Sequence, residues 1–122
     1  MHRLRLIVLA LAVGVLPVAA EAQTAPAAPA PPGNADTGKK MYVSYGCYQC
    51  HGYEGQGSTA TGPRLAPRPL PFAVFSRYIR RPTGQMPPYT EKVLSDADLG
   101  HIHAYLTSRP TPKTVDTIPL LK

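Results

Sequence analysis

The chain has 122 residues, a formal net charge of +6, 15 prolines and only two cysteines. This length suits one domain, and once the ends are removed the folded part buries only a thin core on its own. The Lys and Arg residues are dispersed, with no long basic run, which argues against nucleic acid as a partner and leaves a docking surface for an acidic protein.

Residues 1–22 read as a secretory signal peptide. Arg3 and Arg5 form the positive n-region, Leu6 to Leu16 is an apolar run interrupted by Gly14, and Pro17 breaks it. Ala20-Glu21-Ala22 offers an A-x-A cleavage site before Gln23. The alternative is an uncleaved N-terminal anchor. The apolar run is shorter than the ~20 residues a membrane-spanning helix needs, so the expectation is export to the periplasm with no membrane span after cleavage. Residues 23–33 are an Ala/Pro-rich linker without bulky apolar residues. It is either a spacer or a new N-terminus with no role.

The first helix is expected over Ala35 to Tyr45. Asn34 suits its N-cap and Asp36 its first turn. Gly38, Met41, Tyr42 and Tyr45 fall at i, i+3, i+4 and i+7 on one face. A glycine on that face permits another helix to cross closely.

The helix leads into Cys47-Tyr48-Gln49-Cys50-His51. C-x-x-C-H is the c-type haem attachment signature. Two thiols at this spacing can each form a thioether to one porphyrin, and the next residue carries an imidazole beneath the iron. One such motif implies one haem c. A thioredoxin-type disulfide calls for an α/β pattern, which is absent here. A structural zinc site calls for four ligands, and no second Cys pair exists. Both cysteines are used by the motif, so none remains for a disulfide.

His51 to Pro71 reads as a loop, rich in Gly and Pro. Its segment Thr61-Gly62-Pro63-Arg64-Leu65 either passes behind the His51 ring, where a backbone carbonyl accepts the imidazole N–H, or is an ordinary surface loop. A second helix is expected over Pro71 to Arg80, with Phe72, Phe75 and Ile79 on one side and Pro82 as its stop. In the following segment Met86 is the best candidate for a second axial ligand. A thioether there raises the reduction potential relative to a second imidazole; the other reading of a lone Met is core filler. Met1 leaves with the signal peptide, and Met41 lies on the helix that enters the attachment motif.

The last helix is signalled by Ser95-Asp96-Ala97-Asp98, with Leu94 and Leu99 placed for a hydrophobic staple. Leu99, Ile102 and Leu106, with Tyr105 beside them, form its apolar face, and Pro110 closes it. His101 and His103 compete as iron ligands in principle, but two residues apart they share no helical face. They read as solvent-facing or packed histidines. The domain is expected over 34–109, with residues 110–122 an irregular tail.

Gly38-x-x-x-Tyr42, Cys47-x-x-Cys50-His51-Gly52, Gly62-Pro63-x-Leu65, Met86-Pro87 and Ala104-Tyr105-Leu106, in this order, resemble the small soluble monohaem cytochromes c of bacteria. The resemblance covers about Asp36 to Ser108. It implies an all-α, cytochrome c-like fold, with three or more helices wrapped around one covalently attached haem and the first and last helices crossing near Gly38 and Tyr105. It further implies Cys47 and Cys50 as thioether positions, His51 as proximal and Met86 as distal iron ligand, and the Pro63 carbonyl bonded to His51. One departure is the spacing of five from Tyr42 to Cys47, where many relatives have four. The stretch around Tyr48 and Arg64 to Pro71 is similar to cytochromes that accompany periplasmic dehydrogenases.

The expected role is one-electron transfer in the periplasm, with no catalysis of its own. The alternative is a dedicated electron-accepting cytochrome subunit of a periplasmic dehydrogenase complex. A haem-based sensor or peroxidase-like enzyme needs a vacant iron position, which Met86 argues against. The expected partners are redox proteins, a periplasmic dehydrogenase or a terminal oxidase among them. Lys39, Lys40, Arg80 and Arg81 are either steering charges near the haem edge or plain solvated surface.

Overall fold

A computed structural model describes residues 29–121. The signal-peptide reading lies outside the described residues, as does most of the Ala/Pro-rich stretch. Helix α1 spans Ala35–Ser44, α2 Tyr48–His51, α3 Phe72–Arg80 and α4 Asp96–Thr107, and two short 3₁₀ turns follow in the tail. Among the described residues there is no strand, only an isolated bridge between Ser58 and Gly62, and no helix is long and apolar enough to cross a membrane. The all-α expectation holds.

The caps act as local chemistry dictates. Asn34 Oδ1 accepts the Thr37 N–H at 2.8 Å and opens α1. Ser95 and Asp98 form a reciprocal capping box at the start of α4, with bonds of 3.1 and 3.3 Å. Leu94 and Leu99, on either side of that cap, are both buried.

The core is built by crossing α1 over α4. The buried face of α1 is Gly38 and Tyr42, and that of α4 is Leu99, Gly100, Ile102, Tyr105 and Leu106. A Cβ at Gly38 would fall on the His101 carbonyl and within 2.9 Å of Tyr105 Cβ. Only glycine lets the two backbones approach this closely. From α3, Phe75 and Ile79 close the core.

Tyr42 and Tyr105 lie at the crossing, fully buried, with ring centroids 5.5 Å apart. Their hydroxyls leave the core in one direction. Tyr42 O–H donates to the Gly52 carbonyl at 2.9 Å and Tyr105 O–H to the Tyr53 carbonyl at 2.7 Å. Both acceptors immediately follow His51, so the helix crossing also fixes the exit from α2. Arg109 stacks over the Tyr105 ring at 4.4 Å and bonds Glu54 at 2.8 Å, closing the same corner.

Burial, the largest cause, pushes the Tyr42 phenol well above its ordinary range, and burial also raises Tyr105. An acid with a raised folded pKa favours the fold while the pH is below its unfolded value. That contribution is lost as pH climbs from about 10 toward the folded value. Tyr42→Phe is therefore expected to flatten the fall in stability above about pH 10, while costing about 1 kcal/mol at neutral pH for the lost hydrogen bond. Denaturant unfolding at a series of pH values checks both parts; an unchanged alkaline limb contradicts the assignment.

The end of the Ala/Pro-rich stretch lies along α4. Gly33 packs against the Gly100 carbonyl and Ala104, and Pro31 against Gly100. The Asn34 N–H donates to His101 Nδ1 at 2.9 Å. Contact is made here by small residues and backbone, without the bulky side chains that the sequence reading required for packing.

Candidate haem site

The attachment motif forms a helical turn that includes His51, the residue expected to open the loop. Cys47 is the N-cap of α2, and the His51 N–H returns to the Cys47 carbonyl at 3.1 Å. Upstream, the Cys47 N–H bonds the Tyr42 carbonyl at 3.1 Å, so α1 hands directly into α2. The residues Tyr45–Cys47 between the two helices form a turn.

Both thiols are free, Cys47 half-buried and Cys50 exposed. Burial pushes the Cys47 thiol up to about 11 from its ordinary 9.0. Redox-active and metal-binding cysteines need the thiolate, which their surroundings favour; this site disfavours it. Among the described residues no three His, Cys, Asp or Glu side chains cluster as a metal site.

His51 Nδ1 lies 2.9 Å from the Pro63 carbonyl oxygen. A carbonyl can only accept, so Nδ1 carries the proton and Nε2 keeps its lone pair for a metal. The backing is tight: a Cβ at Gly62 would meet the His51 ring at 3.0 Å. The loop is tied to α2 by Gly57 N–H to the His51 carbonyl (2.8 Å) and Thr61 O–H to the Cys50 carbonyl (2.7 Å). The bond to Pro63 is thus held by several local contacts.

Met86 is half-buried in the irregular segment between α3 and α4. It belongs to a set of partly covered side chains packed on the core, with Met41, Tyr45, Cys47, Tyr48, Leu65, Phe72 and Tyr89. Tyr89 anchors the segment: its N–H bonds the Ile79 carbonyl at 3.1 Å and its O–H the Tyr45 carbonyl at 2.8 Å.

The competing histidines have other work. His101 accepts from Asn34. His103 Nε2 lies 2.9 Å from the Leu70 carbonyl, and its ring packs edge-on against Phe72 and Phe75. These are the packed histidines of the sequence reading. Arg80 departs from expectation. As a steering charge it should be exposed, yet its side chain is only 16% exposed and bonded to Asp96 and two backbone carbonyls. Sequence reasoning also missed the hydroxyl bonds of Tyr42, Tyr89 and Tyr105, and the stacking of Tyr48 on Tyr53 at 4.5 Å. No local signal marks a phenol's distant partner.

The donor set fits a covalent haem. Two free thiols lie one helical turn apart, and an imidazole beside them is fixed in the tautomer that frees Nε2. A rim of apolar side chains is only half covered by protein.

Such a site on an all-α fold with crossed terminal helices defines a c-type cytochrome domain. The profile of the family described as Cytochrome C oxidase, cbb3-type, subunit III matches residues 33–106. The chain belongs to this family and is a haem c protein of electron transfer. No curated protein and no solved structure matches it.

Proposed function

We propose that this protein is a periplasmic one-electron carrier with a single covalently bound haem c, attached through Cys47 and Cys50 and ligated by His51 and Met86. The observation that carries the reading is the His51 Nδ1–Pro63 bond of 2.9 Å beside two free thiols. When bound, the haem supplies an iron that takes up and releases one electron.

The chain's own residues do the rest. Cys47 and Cys50 hold the porphyrin edge by thioethers. His51 presents Nε2, and the Pro63 carbonyl keeps its ring and tautomer fixed while making the imidazole a stronger donor. Met86 offers a soft thioether that favours the reduced state. His51 and Met86 would hold the iron of a bound haem, and two side-chain ligands would leave little access for an exogenous ligand, which favours electron transfer over sensing or peroxide chemistry. The half-covered apolar rim shields the centre from water.

The test is an absorption spectrum of the protein, oxidised and reduced, beside that of Met86→Ala. A low-spin c-type spectrum with an iron–sulfur charge-transfer band, lost in the variant, is expected. A spectrum the substitution leaves unchanged moves the sixth ligand elsewhere. A high-spin spectrum in the parent protein makes ligand sensing or peroxide chemistry the better reading.

A second reading has one observation in its favour. The matched family is described as a subunit of a terminal oxidase, so the carrier is then a fixed member of a larger redox complex. Co-purification with a catalytic subunit separates this from a freely diffusing protein, and from service to a periplasmic dehydrogenase.

A further inference from the structure

The segment 81–95 carries Met86 and has no regular structure beyond turns at Gly84–Gln85 and Glu91–Val93. Leu94 is buried in the core and Met86 and Tyr89 pack against it, but few hydrogen bonds hold the backbone. Tyr89 bonds back to Ile79 and Tyr45, Tyr78 O–H pairs with Thr83 Oγ1 at 3.0 Å, and the Val93 and Leu94 amides close on Thr90. The remaining anchor is Arg80, the last residue of α3. Its Nη1 donates to the Tyr89 carbonyl at 2.9 Å and the Leu94 carbonyl at 2.7 Å, and its Nη2 to Asp96 Oδ1 at 2.7 Å. One planar fork thus ties the end of α3 to two points of the segment and to the first turn of α4. Its Nε is buried and has no partner among the described residues. A cation this covered is tolerated only with firm acceptors, and three of its bonds go to this segment and its junction with α4.

We infer that Arg80 is a positioning residue for Met86, setting how firmly the thioether is held at the iron. The inference rests on Met86 being the axial ligand. Asp96 is 55% exposed, so its ion pair contributes little by itself; the two carbonyl bonds from the covered, charged donor do the holding. Arginine's planar fork reaches both carbonyls and the carboxylate together, whereas a lysine ammonium lacks that geometry.

The experiment is imidazole titration of the oxidised haem protein, followed by the iron–sulfur charge-transfer band, for the parent, Arg80→Gln, Arg80→Lys, Asp96→Asn and Met86→Ala. Imidazole competes with the thioether, so its apparent affinity reports how readily Met86 leaves. Removal of two charge-assisted bonds is expected to raise that affinity by about tenfold or more in Arg80→Gln. Arg80→Lys should fall between, and Asp96→Asn, which keeps both carbonyl bonds, should stay within about twofold of the parent. Thermal melts run alongside. If Arg80→Gln lowers the melting temperature yet leaves imidazole affinity at the parent value, Arg80 is only structural and the inference is overturned. If Asp96→Asn matches Arg80→Gln, the ion pair does the holding and the carbonyl clamp is wrong. Met86→Ala separates the two levels. A parental band in that variant removes Met86 as ligand, and this inference with it; a lost band with an inert Arg80→Gln overturns the inference alone.

Discussion

Gly38→Val is expected to prevent stable folding. The position a Cβ would take is already filled by the His101 carbonyl and Tyr105 Cβ. Both belong to α4, whose backbone is fixed by its capping box and by the burial of Leu99, Ile102 and Leu106. A flexible side chain could move aside; a helical carbonyl cannot. Admitting the branched side chain means separating α1 from α4, which would loosen the Tyr42–Tyr105 contact and the hydroxyl bonds behind it. The cost is expected to exceed about 3 kcal/mol, above ordinary overpacking and a large share of the 5–15 kcal/mol that holds a typical domain. Denaturant unfolding measures it. A loss below about 1 kcal/mol would show that the helices do not cross as described.

Cys47→Ser combined with Cys50→Ser is expected to leave no covalently bound haem. Both thiols are free, Cys47 half-buried and Cys50 exposed. Serine preserves the size of each side chain and removes only the sulfur. No haem is then expected on the denatured chain of the double variant, while each single variant keeps one sulfur for attachment. The folded state should suffer too, because the rim of Met41, Tyr45, Tyr48, Leu65 and Tyr89 would lose its cover and expose apolar surface to water. Haem staining of the denatured chain reads the first effect and thermal unfolding the second. Retention of covalent haem by the double variant would contradict the attachment.

The parts legible in the sequence are those whose chemistry is local. Asn34 and Ser95 cap their helices because a short polar side chain meets an amide three residues on. Leu94 and Leu99 bracket the second cap as their spacing suggests. The residues suggested a close crossing at Gly38 and a carbonyl from 61–65 behind His51, but the partners Tyr105 and Pro63 came from likeness to a family. Neither follows from periodicity. What stayed hidden depends on partners far along the chain. Arg80 looks like any surface arginine at a helix end until the carbonyls of Tyr89 and Leu94 are placed beside it. The Pro31–Gly33 contact with α4 lacked a signal because small residues and backbone make it. The helical turn at His51 was missed because the glycines that follow it suggested a loop from His51 onward.

The most direct test of the central claim is the intact mass of the protein after denaturation, with its optical spectrum beforehand. One haem retained per chain, on Cys47 and Cys50, with a low-spin spectrum, is the expected result. A chain carrying no covalent haem, or a disulfide between Cys47 and Cys50, would contradict it.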